Sequence, residues 1–318
     1  MYLGSLLLLE GRMQMLSIII PCFNEEGNVA EAAEVLKDTL TSADIEYELV
    51  FIDDGSKDRT RQKVEELHAT HPVSLYSFSR NFGKEATIFC GLKHCTGDCA
   101  VIYDCDMQFP ASTIVEMYRK WCEGYLVVEG IKKECQRESA IKKWGANGFY
   151  SLLKKSGKID LRNATDFKLM DRKVIDTLNS MPERETFFRA LSSWVGFTSC
   201  RIEFEVEDRK NGVSKWSFIS LVRYAITNLT SYTFLPLQAT TVCGIIFLVL
   251  AMCTAIYLVY QLLMGQVING YTLVVFTILM SSSILMIALG VIGLYLAKIY
   301  RELQQRPRFI VEKEVIRK

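Results

Sequence analysis

Three oxygen-bearing side chains follow one apolar run of the sequence at every second position. Asp104, Asp106 and Gln108 stand in the segment VIYDCDMQFP. In an extended segment alternate side chains project to the same side, so all three could reach a single hard cation whose other ligands are water and diphosphate oxygens. Such a Mg²⁺ or Mn²⁺ ion would stabilise the charge that develops on a departing nucleoside diphosphate. The alternative is an Asp that only caps a helix beginning after Pro110.

A second pair of carboxylates follows an earlier apolar run. The segment FIDDGSKDRT places Asp53 and Asp54 at the end of a predicted strand, and Gly55 permits a tight turn before a helix. Carboxylates at this point can accept hydrogen bonds from a nucleobase N–H or from ribose hydroxyls. They could equally form a turn followed by a helix cap. Neither GxGxxG nor GxxxxGK[ST] occurs in the chain, so the sequence gives no support to a dehydrogenase or a P-loop protein.

The segments that must position these residues alternate between β-like and helix-like runs from residue 15 to residue 200. The predicted strands are Leu16–Pro21, Tyr47–Ile52, Val73–Phe78, Ala100–Tyr103 and Leu126–Glu129, with an edge strand at Ser199–Val206. The clearest predicted helices are Asn28–Leu40, Arg59–His68 and Ala111–Glu123. This alternation predicts an α/β fold with a mostly parallel sheet, helices on both faces, and ligands bound beyond the carboxyl ends of the strands.

Charge is unevenly distributed along the chain. Charged residues make up 23% of it, yet none lies between Tyr224 and Ala297. Within that stretch Leu235–Met264 and Tyr271–Ala297 are each long enough to cross a hydrocarbon core, which takes about 20 residues. Basic residues flank the pair on both outer sides, whereas the link Gly265–Gly270 is uncharged. The positive-inside rule predicts a membrane hairpin with both termini in the cytosol; two buried helices of a globular core are the alternative.

Five segments follow from these patterns. They are an N-terminal extension without function (1–14), a cytoplasmic catalytic domain (15–210), a juxtamembrane amphipathic helix region (211–234), two transmembrane helices within 235–297 (about 235–264 and 271–297) and a basic cytoplasmic tail (298–318). In the juxtamembrane region, Ser217–Leu229 has apolar residues at helical spacing. That helix could rest in the membrane interface or pack on its own domain.

Composition excludes two other classes of protein. Residues 1–223 carry 30 basic and 33 acidic side chains, so bulk electrostatics do not favour a nucleic-acid-binding protein. The ten cysteines are scattered through apolar runs with no CxxC pair, which indicates reduced thiols in the cytosol rather than a disulfide framework.

Taken together, five ordered motifs resemble the polyprenyl-phosphate glycosyltransferases of glycosyltransferase family two, which include bactoprenol glucosyltransferases and dolichyl-phosphate mannose synthase. The motifs are IIIPCFNEEGN, FIDDGSKDRT, SRNFGKEATIFCGLKHCTGD, DCDMQFP and NATDFKLMDRKVI. With the two predicted spans, the resemblance covers most of the chain. It implies a GT-A-type, Rossmann-like domain, an interfacial helix and a two-helix transmembrane hairpin. It also implies inverting transfer of a hexose, such as glucose or N-acetylglucosamine, from a UDP-sugar to undecaprenyl or another polyprenyl phosphate, with Mg²⁺ or Mn²⁺.

The resemblance also implies roles for individual residues. The nucleotide-sugar residues are Pro21, Asn24, Glu25, Asp53, Lys84 and Asp104. The metal residues are Asp106 and Gln108, with Asp104 contacting the metal or the donor ribose. The catalytic residues are Asp166, as base or sugar-positioning group, Asp104, and Arg189, which shares with Trp194 a segment closing over donor and acceptor. Asp166 could instead cap a helix or pair with Lys168, and Trp194 could be plain core.

The predicted acceptor residues agree least well with the pattern of the family. Lys132 stands where relatives usually carry an arginine for the acceptor phosphate, and Arg137 matches the second basic position approximately. A lysine holds a phosphate as a point charge without bidentate geometry. Lys215 precedes the first predicted span and is a third candidate at headgroup depth. Phe109 stands where many relatives carry a polar residue, a departure expected to affect sugar or acceptor preference.

The expected mechanism is direct displacement of UDP by a phosphate oxygen of the lipid. A phosphate monoester has a second pKa of about 6, so it needs no strong base, and Asp166 is expected mainly to orient sugar or acceptor. A homo-oligomer and a partner flippase are expected from the resemblance. The competing hypotheses are transfer to a glycerolipid and a catalytically silent membrane scaffold that binds nucleotide sugar. A processive polysaccharide synthase is disfavoured because the chain lacks QxxRW.

Overall fold

The computed structural model of the chain describes residues 14–132, 164–181, 183, 187–204, scattered positions between 246 and 264, and 270–316. The strands are β1 (Leu16–Cys22), β2 (Tyr47–Asp53), β3 (Val73–Phe78), β4 (Cys99–Ile102), β5 (Val127–Lys132), β6 (Ala164–Asp171), β7 (Ser199–Phe204) and β8 (Val311–Val315). The helices are α1 (Val29–Ser42), α2 (Thr60–Leu67), α3 (Lys84–His94), α4 (Ala111–Cys122), α5 (Arg172–Ser180), α6 (Phe188–Trp194) and α7 (Gly270–Leu303).

The eight strands form one sheet in the order β7-β5-β6-β4-β1-β2-β3-β8. Its centre is parallel, with β1 between β4 and β2 and with β3 beside β2. Strand β6 runs antiparallel to both β4 and β5, and β7 runs parallel to β5 at one edge. The mostly parallel sheet predicted from the alternating runs is therefore confirmed, as is the edge position of the strand beginning at Ser199.

Helices cover both faces of the sheet, and this explains why its central strands read as continuous apolar runs. Ile18 belongs to one core cluster with residues of α1 and α4, whereas the next residue, Ile19, packs on the opposite face against α3. Burying an isoleucine fully stabilises a fold by about 1.5–3 kcal/mol. Helix α3 approaches β1 closely at Gly91, where a Cβ would lie 2.2 Å from Ile19 Cγ2. This close contact sets the position of the helix that begins at Lys84.

The segment predicted as a basic cytoplasmic tail, residues 298–318, contains the end of a helix and a strand. Helix α7 continues to Leu303, and β8 pairs antiparallel with β3, with Leu75 opposite Val315. The rings of Phe309 and Phe78 stack with centroids 5.1 Å apart. This tail covers the polar edge that β3 would otherwise expose. The catalytic domain predicted at residues 15–210 therefore also includes residues 306–316, which belong to the same compact unit, whereas α7 belongs to a second unit.

Helix α7 contains a candidate membrane span of 24 residues, Met280–Leu303, in which an 18-residue window has a mean hydropathy of 2.0. In the described part of the chain it is the one helix long and apolar enough to cross a membrane. The first predicted span, Leu235–Met264, lies largely outside the described residues, and the juxtamembrane region 211–234 lies entirely outside them.

Candidate active site

Strand topology brings the predicted site residues to one edge of the sheet. Strands β1, β2 and β4 are parallel, so the loops that follow Cys22, Asp53 and Ile102 leave on the same side. Because β6 is antiparallel to β4, its beginning, near Asp166, lies at this edge too. The end of β5, at Lys132, reaches the same edge by the same reasoning. Parallel α/β sheets bind ligands at such an edge.

Lys84 joins two of the predicted carboxylates. Its Nζ lies 2.7 Å from Oδ1 and 2.8 Å from Oδ2 of Asp104, and 3.1 Å from Oδ2 of Asp166. Partial exclusion of water would lower the pKa of Lys84, but the two carboxylates outweigh this effect and raise the pKa above its usual value. Lys84 is therefore a cation at neutral pH. Its side chain is 44% exposed, so a ligand can reach it.

Arg189 holds the other side of Asp166. Its Nε donates to Oδ1 at 2.7 Å and its Nη2 donates to Oδ2 at 2.8 Å. Asp166 is buried, which alone would raise its pKa, but Arg189 and Lys84 outweigh burial and hold the pKa well below its usual range. Asp166 is therefore an ionised carboxylate with both oxygens bonded, and a weak base. Since it lies inside β6, it is not the helix cap considered as an alternative.

Glu85 is a residue of this cluster that the sequence analysis missed. Its Oε2 accepts the backbone N–H of Phe188 at 2.8 Å, at the first residue of α6. Burial and the charge of Asp166 raise the pKa of Glu85 to about 7, against the opposing effect of this N–H and of Arg189 and Lys84. Consecutive residues of α3 therefore hold Asp166 and the start of the Arg189 helix. The one sequence signal was the position of Glu85 beside Lys84 in the RNFGKE segment.

A buried ion pair gives α6 a second attachment to β6. Lys168 is fully buried, and its Nζ lies 2.7 Å from Glu129 Oε1 and 2.9 Å from Ser192 Oγ. Side chains two apart on a strand share a face, so Lys168 and Asp166 both face α6. The alternative in which Asp166 pairs with Lys168 is wrong, because Lys168 pairs with Glu129.

Asp104, Asp106 and Gln108 follow β4 in a turn rather than in the extended segment that was predicted. Met107 has a φ of 53°, and its N–H donates to the carbonyl of Asp104 at 3.2 Å. Burial still alternates along this turn: these three side chains are half-buried, and the residues between them are buried. The helix-cap alternative is wrong, since α4 has Pro110 at its N-cap and no side-chain cap hydrogen bond.

Phe109 belongs to the core rather than to the sugar or acceptor site, contrary to expectation. It is 6% exposed and stacks on Phe167 with ring centroids 4.8 Å apart. Phe109 is therefore a packing residue. Trp194, by contrast, is 63% exposed at the end of α6, so the alternative that it is plain core is wrong.

The oxygen donors of this turn fit a hard divalent cation. Two carboxylates and an amide are the ligand types that Mg²⁺ and Mn²⁺ prefer, and Asp104 already binds a cationic group, the ammonium of Lys84. Among the described residues no three His, Cys, Asp or Glu side chains come close enough together to hold a metal by themselves. The protein would therefore supply part of the ligands, and Asp104, Asp106 and Gln108 are its candidates.

Asp53 and Asp54 are both buried and already hydrogen bonded. Asp53 accepts from Ser56 N at 3.0 Å and from Ser77 Oγ at 2.6 Å. Asp54 accepts from Phe82 N at 2.6 Å and from Gly83 N at 2.9 Å. The sequence predicts either ligands of base or ribose or a turn before a helix, and the hydrogen bond from Ser56 N to Asp53 fits such a turn. The structure gives Asp54 a positioning role that was missed: it fixes the backbone directly before Lys84.

The loop after β1 is tied to the loop after β2. Asn24 has a φ of 55°; its N–H donates to Ser56 Oγ at 2.9 Å, and its Oδ1 accepts from Lys57 N at 3.0 Å. Glu25 N donates to Thr60 Oγ1 at 2.8 Å. Pro21 lies within β1 itself. These residues therefore line the same edge as Asp53.

The acceptor residues are described only in part. Lys132 is the last residue of β5, and its backbone reaches the site edge. Arg137 and Lys215 lie outside the described residues.

Known proteins provide independent comparisons. The family model described as Glycosyl transferase family 2 matches residues 17–178. The Bacillus subtilis protein named uncharacterized glycosyltransferase YkcC is 36% identical over 93% of this chain and 93% of its own length. A Shigella flexneri protein named SfII prophage-derived bactoprenol glucosyl transferase is 32% identical over 94% of this chain and 97% of its own. A crystal structure described as that of a mycobacterial protein matches with a TM-score of 0.52 and 17% identity, over 69% of this chain and 75% of that one, and shares the fold.

Proposed function

The chain belongs to glycosyl transferase family 2, and on that premise we propose that it transfers a hexose from a UDP-sugar to polyprenyl phosphate at the cytoplasmic face of a membrane. The family and the GT-A-like sheet domain predicted from the motifs are confirmed, so the protein is a glycosyltransferase. The observation that carries the finer proposal is the cluster in which Lys84 and Arg189 hold Asp104 and Asp166 at the sheet edge. Near full-length relatives named bactoprenol glucosyl transferase support a polyprenyl phosphate acceptor and glucose as one donor sugar, with N-acetylglucosamine as the other candidate.

The state of Asp166 supports attack by an acceptor that is already an anion. A carboxylate whose pKa is held well below its usual range by two cations cannot readily remove a proton. A lipid phosphate, with a second pKa of about 6, needs no such base. One of its oxygens attacks the anomeric carbon from the face opposite UDP, so the configuration inverts. Asp166 and Arg189 then orient the sugar and acceptor rather than transfer a proton.

The donor side uses the cations and oxygens of the same edge. Lys84 lies between the predicted nucleotide and sugar positions and can hold a diphosphate oxygen through its exposed ammonium. Pro21, Asn24, Glu25, Asp53 and Asp104 are proposed to line the nucleotide subsite. Asp104, Asp106 and Gln108 would hold Mg²⁺ or Mn²⁺, which when bound supplies a charge that stabilises the leaving diphosphate.

Strand β8 supports the two-helix membrane hairpin. Strands β3 and β8 are neighbours in one sheet, although α7 lies between them in the chain. A chain that leaves a sheet and returns to it must cross a membrane an even number of times. If α7 crosses once, a second crossing must lie between β7 and α7. The uncharged segment Leu235–Met264 is long enough for that crossing, which would place both termini and the catalytic domain on one side.

The membrane hairpin would bring the site to its lipid substrate. Exposing a buried lipid CH₂ costs about 0.8 kcal/mol, so the chemistry must come to the interface. Lys132, Arg137 and Lys215 are the proposed contacts of the acceptor phosphate, and the amphipathic region 211–234 would lie in the headgroup layer. A homo-oligomer and a flippase that moves the product outward are further proposed partners.

Incubation of membranes with a panel of labelled UDP-sugars tests the proposal. The expected product is a glycolipid that mild acid cleaves, with label from one UDP-hexose. An alkali-labile, acid-stable product would indicate the alternative, a glycerolipid acceptor. Binding of UDP-sugar without any product would indicate the silent scaffold.

A further inference from the structure

Arg308, between the end of α7 and β8, contacts the chain on the approach to α6. Its Nη2 donates to the carbonyl of Met181 at 3.0 Å and also to the carbonyl of Glu183. Its guanidinium lies 4.6 Å from the centroid of the Phe89 ring, within the range of a cation–π contact. One side chain from the C-terminal tail therefore holds two backbone groups and an aromatic ring of the catalytic domain.

These contacts converge on the first residue of α6. Met181 and Glu183 precede α6 in the chain, and the Phe89 ring meets the buried Phe188 ring edge to face, with centroids 6.5 Å apart. No side-chain hydrogen bond from Phe187 caps the helix, so its start depends on groups supplied by other segments. Glu85 supplies one of them. Arg308 acts beside this point, through the carbonyls of Met181 and Glu183 and through the Phe89 ring that packs on Phe188.

The backbone that carries Arg308 is itself firmly placed. Phe309 stacks on Phe78, and Ile310 accepts a hydrogen bond from Ser79 N at 3.1 Å. Strand β8 then pairs with β3 as far as Val315. The guanidinium therefore lies on backbone that is fixed to the edge of the sheet. A residue that positions another group needs such a fixed backbone.

We propose that Arg308 is a positioning residue of the transfer reaction. By holding the carbonyls of Met181 and Glu183 and the ring of Phe89, it fixes the start of α6 and thereby the two hydrogen bonds from Arg189 to Asp166. The tail that follows α7 thus contributes to the geometry of the site. Only the activity measurement below depends on the proposed function.

Hydrogen–deuterium exchange of the full chain in detergent tests the geometry without any substrate. In Arg308→Ala the amides of Phe188 and Leu191 should exchange about tenfold faster than in the wild type. Lys313→Ala is the matched control, because Lys313 lies on β8 and bonds Glu65, 2.6 Å away, on α2. It should leave those two amides unchanged. Arg308→Lys, which keeps a charged donor, should show intermediate exchange and covers the case in which Arg308→Ala does not fold.

Kinetics distinguish positioning from general stabilisation. Arg308→Ala should lower kcat about 10- to 100-fold while the KM for UDP-sugar changes less than about twofold, because misplacement of a positioning group affects mainly the transition state. In the double variant with Arg189→Ala the two effects should be far from multiplicative. Unchanged exchange at Phe188, or equal effects of Arg308→Ala and Lys313→Ala on stability and kcat, would overturn the proposal. If the wild type transfers no sugar at all, the proposed function fails, and the exchange result still decides the role of Arg308.

Discussion

Arg189 and Asp166 form a bidentate ion pair, with Nε of Arg189 2.7 Å from Oδ1 of Asp166 and Nη2 2.8 Å from Oδ2. A guanidinium is the side chain whose planar fork matches both oxygens of a carboxylate. The pair joins α6 to β6 at the edge where Lys84 also reaches Asp166. Its geometry keeps the carboxylate ionised and fixed in direction, which is what a group that orients a sugar or a phosphate requires.

Arg189→Lys should therefore lower activity although the charge is kept. Lysine cannot make both hydrogen bonds, and loss of one charge-assisted bond should reduce kcat about 10- to 100-fold. Steady-state transfer with saturating UDP-sugar measures the effect. Arg201→Lys is the control, because Arg201 makes a single 3.3 Å contact with Glu129. Equal activity of Arg189→Lys and wild type would contradict a role for the bidentate geometry.

Glu85 makes stability depend on pH near neutrality. Its pKa is raised from 4.5 to about 7, so the folded protein binds this proton more tightly than the unfolded chain does. The resulting stabilisation is complete below about pH 4.5 and is lost as the pH rises through about 7. Glu85→Gln keeps an acceptor for the Phe188 N–H but cannot ionise. Its Tm should therefore fall less than that of the wild type between about pH 5 and pH 8.

Thermal unfolding in detergent across this pH range measures the difference. Glu66→Gln, on the exposed side of α2, is the control and should follow the wild type. Parallel Tm curves for Glu85→Gln and wild type would show that Glu85 does not change its proton affinity on folding.

Much of the fold could be predicted from the sequence because its central strands are buried on both faces. The runs at Leu16, Tyr47 and Val73 each became strands that begin at the predicted residue. Strand β8 was not predicted, because most of it is exposed. VEKEV is exposed at its three central residues, so no apolar alternation marks it, and only its pairing with β3 makes it a strand.

In the site, too, the residues that stand in short motifs could be predicted, whereas contacts between distant parts of the chain could not. Asp104, Asp106 and Asp166 are visible in short motifs, whereas their partners depend on tertiary contacts. Asp166 bonds Arg189, 23 residues away in the chain, and forms an ion pair with Lys84 at the edge of the sheet. Asp54 and Glu85 hold backbone N–H groups that are distant in the chain, and apart from the position of Glu85 beside Lys84 nothing in the sequence indicates these roles.

Asp106 should be required for binding of the divalent cation. Carboxylates repel a diphosphate unless a cation lies between the two groups. We therefore expect Asp106→Ala to bind Mn²⁺ at least about tenfold more weakly than the wild type does in the presence of UDP. Titration calorimetry measures the affinity, and circular dichroism checks the fold. Asp176→Ala removes an exposed carboxylate of α5 and serves as the control. Unchanged Mn²⁺ affinity, or full turnover in excess EDTA, would contradict the metal role.

Both termini should lie in the cytosol. The basic flanks of the uncharged segment favour the cytosol, and the return of β8 to the sheet puts the chain before and after that segment on one side of the membrane. A reporter fused after Lys318 should be protected from external protease in intact cells, whereas a cleavage site placed in Gly265–Gly270 should be cut. Cleavage of the C-terminal reporter in intact cells would reverse the topology and separate the site from cytosolic UDP-sugars.

The most direct test of the account is the mass of the lipid that the purified protein produces from UDP-glucose, UDP-N-acetylglucosamine and undecaprenyl phosphate with Mg²⁺. We predict undecaprenyl phosphate carrying one hexose or one N-acetylhexosamine. Lys84→Met, which removes the cation shared by Asp104 and Asp166, should reduce its formation at least about a hundredfold. Lys93→Met, an exposed residue in the last turn of α3, should leave it unchanged. Free sugar without glycolipid, or equal product from Lys84→Met and wild type, would contradict the account.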